Sequence, residues 1–223
     1  MAERTLTVKG LGKISLPPDQ TEINITVESK DKDYNTVTDR QFEKTEEIRN
    51  ALAELGLDKS RLKTSNLNVS AEYKNVQNDN GAWERKFEGY KCSHNLSLKI
   101  DFDTEKLKWV ISAISSCKNA APVFNIVFSV KDKEETSDKL LEAAVNDAVK
   151  KAAVLSEAAG LVLGNVLSMD YNSRDIDFRS PTNMLSSVSG AAECAGRSAS
   201  DMYIEPENIY SQAEVTVVWE IVA

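Results

Sequence analysis

Tyr90-Lys91-Cys92-Ser93-His94-Asn95-Leu96-Ser97-Leu98-Lys99-Ile100-Asp101-Phe102 alternates without a break. Tyr90, Cys92, His94, Leu96, Leu98, Ile100 and Phe102 share one side, and Lys91, Ser93, Asn95, Ser97, Lys99 and Asp101 take the other. A period of two held over this length predicts a strand with one buried and one solvated face. Antiparallel sheets permit that arrangement, whereas a parallel sheet buried on both faces does not. The same rhythm recurs outward from this segment. Ile23, Ile25 and Val27 alternate with Glu22, Asn24, Thr26 and Glu28, and Leu67, Val69 and Ala71 alternate with Asn66, Asn68 and Ser70. At the chain's end Ala213, Val215, Val217, Trp219 and Ile221 form one face. Thr5 to Val8 and Phe124 to Val130 complete the expected strands.

Helical spacing appears in three places. From about Asn35 to Leu55, Val37, Phe42, Ile48, Leu52 and Leu55 fall near one stripe, with Gly56 as the stop. Between Thr104 and Ser116, Leu107, Val110, Ile111 and Ile114 recur at helical intervals. The third helix, about Glu134 to Ala159, carries Leu141, Val145, Ala148, Ala152, Leu155 and Ala159 on its stripe and ends at Gly160. Asp132 before Glu135 predicts its amino-terminal cap. Its small residues, Ala143, Ala144, Ala148, Ala152 and Ala153, allow close approach to a sheet. The clean heptads are too few for a coiled coil to be the better reading.

Two stretches break the pattern. Tyr73 to Phe87 contains Asn78-Asp79-Asn80-Gly81 between strand-like flanks, which predicts a long exposed hairpin. Residues 174–206 are rich in Ser, Ala and Gly and show little periodicity, so a long functional or disordered loop is expected there. The expected whole is an α+β protein: antiparallel sheets with the three amphipathic helices packed on one face, in two intertwined lobes. The lobes are placed at residues 1–86 and 87–223, the second containing loop 174–206 and the last strand.

Composition excludes several functions. The 223 residues carry a net charge of −8, and Lys and Arg are not clustered, so a nucleic-acid partner is not expected. The most apolar window, Ala152 to Leu167, contains Glu157 and two glycines and is too short to span a bilayer. Met1-Ala2-Glu3-Arg4 runs directly into the strand pattern at Thr5, which as written points to the cytoplasm; a leader removed from the recorded sequence would mean export. Cys92, Cys117 and Cys194 are widely spaced and suggest neither a disulfide framework nor a zinc site.

No catalytic set assembles from the residues. His94, the one histidine, shares a strand face with Cys92, about 6.5–7 Å away at the Cβ atoms. That is too far for a direct thiol–imidazole hydrogen bond without rotamer help, and a Cys–His catalytic centre also needs an orienting third group. The plainer reading is a core histidine donating to a backbone or hydroxyl group. Gly10-Leu11-Gly12 has no third glycine and is followed by Pro17-Pro18, so it reads as a bend or bulge rather than a phosphate loop. Adjacent carboxylates such as Glu46-Glu47 and Glu134-Glu135 diverge on a helix and belong to solvated faces. Trp83, beside the hairpin turn, is either a contact residue or folded back on its own hairpin. Met184, Leu185 and Val188 are the apolar points of the irregular stretch. Neither a cofactor nor a metal is expected.

Several local signatures, taken in order, resemble the SIMPL-domain family (domain of unknown function 541). They are Val8-Lys9-Gly10-Leu11-Gly12, then Pro17-Pro18-Asp19, then Gly89-Tyr90-Lys91-Cys92 opening the long strand. Ile126-Val127-Phe128 follows before the alanine-rich helix, then Gly160 to Gly164 with Val166, and Pro206-Glu207-Asn208-Ile209 before the closing strand. The resemblance implies an α+β fold in two intertwined lobes, self-association, and a loose link to oxidative-stress defence or signalling with no assigned catalysis. Where the family usually has Pro-Gly, this chain has Pro206-Glu207, and many relatives carry an export leader. The functional expectation is therefore a non-enzymatic oligomerising or interaction protein, with Trp83, Met184, Leu185 and Val188 as contact residues. The alternative is a small-ligand or redox-linked binding protein with a cavity near Cys92 and His94.

Overall fold

The Tyr90 segment lies in β4, Trp83–Asp101, the longest strand of the computed structural model, which describes residues 4–77, 81–171, 176–187 and 204–222. The described residues form eight strands and three helices. The chain makes two compact units, each drawn from separated stretches. One comprises Met1–Asp19, Ser129–Pro181 and Pro206–Ala223, the other Gln20–Phe128 and Thr182–Glu205. The α+β class and the interleaving of the two lobes are as expected from the sequence. The boundary expected between residues 86 and 87 is not where the chain divides, because it falls inside β4 and inside the second unit.

In the second unit, β2 (Gln20–Asp31) and β4 pair antiparallel, with Ile23, Ile25 and Val27 opposite Leu98, Leu96 and His94. β3 (Leu62–Gln77) pairs with the other side of β4, and β5 (Val123–Ser129) and β7 (Arg179–Ser187) complete the order β3-β4-β2-β5-β7. Two helices supply the other side of the core. α1 (Tyr34–Glu54) buries Val37, Gln41, Thr45, Ile48 and Leu52, and α2 (Thr104–Ser116) buries Leu107, Val110, Ile111 and Ile114. Asp33 and Asp103 cap them, each accepting from an amide three residues on. Phe42, expected on the α1 stripe, is instead 58% exposed, because Gln41 and Thr45 take the inward line.

The first unit places α3 (Lys133–Ala158) on a sheet of order β1-β8-β6: β1 is Thr5–Leu16, β8 Ile209–Val222 and β6 Val162–Tyr171. The three helices therefore do not share one face, since each sheet carries its own. Asp132 caps α3 by accepting from the Glu135 amide, as expected. The buried line is Leu140, Ala144, Ala148, Ala152 and Ser156. Ala148 and Ala152 are where the stripe put them, while at its two ends Leu140, Ala144 and Ser156 replace Leu141, Val145 and Leu155, and Leu155 is left exposed.

The glycine pair is also corrected. β1 runs unbroken past Gly10 and Gly12 in continuous register with β8, so there is no bend or bulge. The reason for glycine is the helix above. A Cβ on Gly10 would lie 2.1 Å from the Ala144 carbonyl oxygen, and one on Gly12 would lie 2.1 Å from that of Leu140. Glycine on the strand and alanine on the helix let the two backbones meet.

Two strand expectations need revision. β3 exists, but its expected inner face is not buried: Leu67 is 46% exposed, because β3 is an edge strand and helical cover does not reach it. Within the stretch expected to be an irregular loop, Arg179–Ser187 is a strand. Its poor alternation and Pro181 fit its position at the other edge of the sheet, where a missing amide is tolerated. Cys194 lies outside the described residues.

Gly10→Ala and Gly12→Ala should each lower unfolding free energy by about 3 kcal/mol, since the clash is with backbone rather than a flexible side chain. Urea denaturation followed by circular dichroism checks this. Parental stability in both variants would contradict the backbone contact.

Candidate functional site

β2 stops pairing with β4 at Asp31 opposite Tyr90, while β3 continues to Gln77 opposite Trp83. Beyond Tyr90 the sheet is thus reduced to a two-stranded arm. The register shifts between Glu72 and Tyr73, next to Gly89. Gly89 has φ of +154°, and a Cβ there would lie 2.6 Å from the Asp31 carbonyl oxygen, so a side chain at the root of the arm is excluded sterically.

Aromatic rings line one face of this arm in an edge-to-face series. Tyr34 at the start of α1 meets Tyr90 at 5.5 Å, Phe87 meets Tyr90 at 5.3 Å, and Tyr73 meets Phe87 at 5.8 Å. The Arg85 guanidinium sits 4.3 Å over the Tyr73 ring. Such ring pairs contribute on the order of 1 kcal/mol each beyond area burial. They stiffen a ribbon that would be marginal alone in water. Tyr34, Tyr73 and Phe87 remain about half exposed, and Trp83, on the same strand face as Arg85 and Phe87, is 73% exposed. Of the two readings of Trp83, the outward one is the structure's.

The other expected contact residues differ. Met184 is partly buried against the core of the second unit, so it supports packing. The side chain of Leu185 and the whole of Val188 lie outside the described residues.

His94 and Cys92 are both buried beneath α1. Thr45 Oγ1 donates to the Gln41 carbonyl at 2.8 Å, so toward His94 it acts as acceptor, and Nδ1 carries the proton across 3.0 Å. Nε2 then accepts from the Thr64 hydroxyl at 2.9 Å. The histidine joins α1, β4 and β3 with both nitrogens engaged, which matches the plainer sequence reading of a core histidine with hydroxyl partners. Burial, with a smaller effect of the Arg49 charge, pushes its pKa below the usual histidine value. Cys92 and Cys117 are free and buried; burial raises both thiols, Cys117 to about 11, so neither is a thiolate at neutral pH. Among the described residues no group of three His, Cys, Asp or Glu side chains could hold a metal ion.

Sequence reasoning located the hairpin through its turn cluster but missed the ring series. The pairs Tyr34–Tyr90 and Tyr73–Phe87 join residues distant in sequence. Only the bulge beside Gly89 brings Phe87 and Tyr90, three apart, onto one face.

Comparison with known proteins places these features in context. The family SIMPL, described as "Protein of unknown function (DUF541)", matches residues 6–219. The 26 kDa periplasmic immunogenic protein of Brucella melitensis biotype 1 is 23% identical over 169 residues, 76% of this chain and 67% of the relative. Its counterpart in Brucella abortus is 22% identical over 169 residues, 76% of this chain and 67% of the relative. The uncharacterized protein YggE of Edwardsiella ictaluri is 20% identical over 216 residues, 97% of this chain and 86% of the relative.

A histidine with a lowered folded pKa binds its proton more readily when unfolded. Its contribution to stability is full above the unfolded value near 6.5 and is lost as pH falls below that toward the folded value. Thermal melts from pH 8 to 5, at about half-unit steps, should show this loss in the parent and a flatter profile in His94→Gln. Identical profiles would remove His94 as the source. Thr45→Val should cost about 1–3 kcal/mol at neutral pH by leaving Nδ1–H without its acceptor.

Proposed function

The chain belongs to the SIMPL family, and on that premise we propose that it acts without catalysis, by associating with further copies of itself through the β3–β4 arm. The observation that carries this reading is the arm's ring series, left half exposed where the sheet narrows to two strands. Exposed tryptophan, tyrosine and arginine are the residues that dominate association energetics when desolvated. Here Arg85, Tyr73, Phe87 and Trp83 occur on one ribbon face.

A second surface supports association. β6, the edge of the three-stranded sheet, leaves Val162, Val166, Leu167, Met169 and Tyr171 each about half or more exposed. It carries one charged side chain, Asp170. Unprotected apolar edges of this kind are sites of intermolecular pairing. The reading also includes export, favoured over the cytoplasm by the printed names of two relatives as periplasmic proteins. No helix among the described residues is long and apolar enough to cross a membrane. A role in oxidative-stress defence, which the family resemblance implies, would run through assembly rather than Cys92 or Cys117, whose thiols are buried and protonated.

Size-exclusion chromatography with light scattering tests the reading. The parent should populate a concentration-dependent oligomer, and Trp83→Ala with Phe87→Ala should weaken assembly by on the order of 30-fold, as for the loss of a hot spot worth about 2 kcal/mol. Circular dichroism should show both proteins folded. A parent that is monomeric at all accessible concentrations, or an assembly indifferent to the two substitutions, contradicts it.

A further inference from the structure

The five-stranded sheet has a second face that neither helix of its unit covers. On β2, Ile23, Ile25 and Val27 point into the core, so Glu22, Asn24, Thr26, Glu28 and Lys30 point the other way. The strand register sets them in rungs: Glu22 beside Lys99, Asn24 beside Ser97 and Lys63, Thr26 beside Asn95 and Asn66, Glu28 beside Ser93 and Asn68. The centre of this surface is built from short amide and hydroxyl side chains. Thr26 donates to the Asn95 side chain at 3.1 Å, and Ser65 donates to the Asn95 carbonyl at 3.0 Å.

The charges on this surface are mostly matched. Glu28 holds Lys91 at 2.7 Å, Glu72 holds Lys30 at 2.6 Å, and Glu22 takes Lys99 at 3.8 Å and the Ser97 hydroxyl at 3.3 Å. Arg61 and Lys63 are the exceptions. Among the described residues neither makes an ion pair or a hydrogen bond through its side chain, although both lie within the field of the Asp58 carboxylate. They border an open cavity of about 640 Å³ lined by Glu22, Asn24, Ser60, Ser65, Ser97 and Lys99 as well. On a chain of net charge −8, this is a local concentration of unmatched cation.

We propose that this cavity and the polar rungs beside it bind an acidic saccharide. The free guanidinium and ammonium would take a carboxylate, and the Asn, Ser and Thr rungs would take ring hydroxyls. Guanidinium–carboxylate pairing is charge-assisted and can be bidentate. Asn and Ser offer both donors and acceptors, and being short they lose little rotamer freedom on binding. Every residue lining the cavity is polar or charged, and the aliphatic stems of Arg61, Lys63 and Lys99 give it an apolar floor on which a sugar ring face can lie. The acidic balance of the whole chain disfavours a phosphate backbone of many charges. The surface faces away from α1, whereas the ring series of the arm includes Tyr34 of α1, so the two readings stand separately.

Titration of the full chain with trigalacturonate, followed by amide chemical shifts and calorimetry, is the test. Saturable binding that shifts Asn24, Lys63 and Ser97 is expected, with maltotriose failing to compete because it has no carboxylate. Arg61→Gln with Lys63→Gln should weaken it by at least about tenfold, as for loss of a charge-assisted contact, while Lys86→Gln on the arm should leave it unchanged. No shift at millimolar trigalacturonate overturns the proposal. So does binding indifferent to the double substitution, equal binding of inorganic phosphate alone, or tighter binding of a single-stranded oligonucleotide.

Discussion

A helix and a strand of similar residue count cannot cover one another, and this mismatch of length governs the second unit. α1 has 21 residues and β4 has 19. At 1.5 Å per helical residue and about 3.3 Å per strand residue, the helix is roughly 31 Å long and the strand roughly 60 Å. One layer of helix over β4 therefore leaves one end of the strand bare, residues 83–88, even with α2 packed against the same core. β2, with 12 residues, stops where α1 begins, and β3 continues with β4 alone. The arm follows from this arithmetic, and the aromatic rings are what such a bare ribbon needs to keep its shape.

The first unit meets the same geometry differently. Its helix is longer, at 26 residues, and lies along β1 with no side-chain layer between the backbones at Gly10 and Gly12. Close approach strengthens dispersion over a narrow track. The lateral cost is that little of α3 extends across the sheet to β6, so that strand keeps its apolar residues in the open. Each sheet thus ends in an uncovered region produced by how its helix packs, not by a cleft shaped for chemistry.

Much of this was legible in the sequence where one physical rule dominated. α2 occupies the expected Thr104–Ser116, and the alternating runs at Ile23 and Val215 are buried as their period requires. Legibility failed where burial depends on a third element. Leu67, Val69 and Ala71 alternate as well as Ile23, Ile25 and Val27, yet no helix lies over them. Gly10 and Gly12 look like a bend because the sequence around them cannot show α3. The arm was visible through its turn residues, but the unmatched Arg61 and Lys63 were not. Their character depends on which carboxylates the register hands to Lys30, Lys91 and Lys99.

The buried histidine is best understood through register. β3 is rich in Asn, Ser and Lys on one face and is bare on the other, so its hydrophobic pattern does little to fix its alignment with β4. A slip of one residue turns every side chain to the opposite face. Thr64 stands just before a register shift and is held by His94 Nε2, while Nδ1 of the same ring is held by Thr45 of α1. A slipped β3 would withdraw the hydroxyl and leave a buried ring nitrogen without a partner, a penalty of about 1–3 kcal/mol. The imidazole therefore does for alignment what an apolar face does elsewhere. Its place beside Cys92 reflects strand geometry, and its two nitrogens are occupied in holding the root of the arm in line.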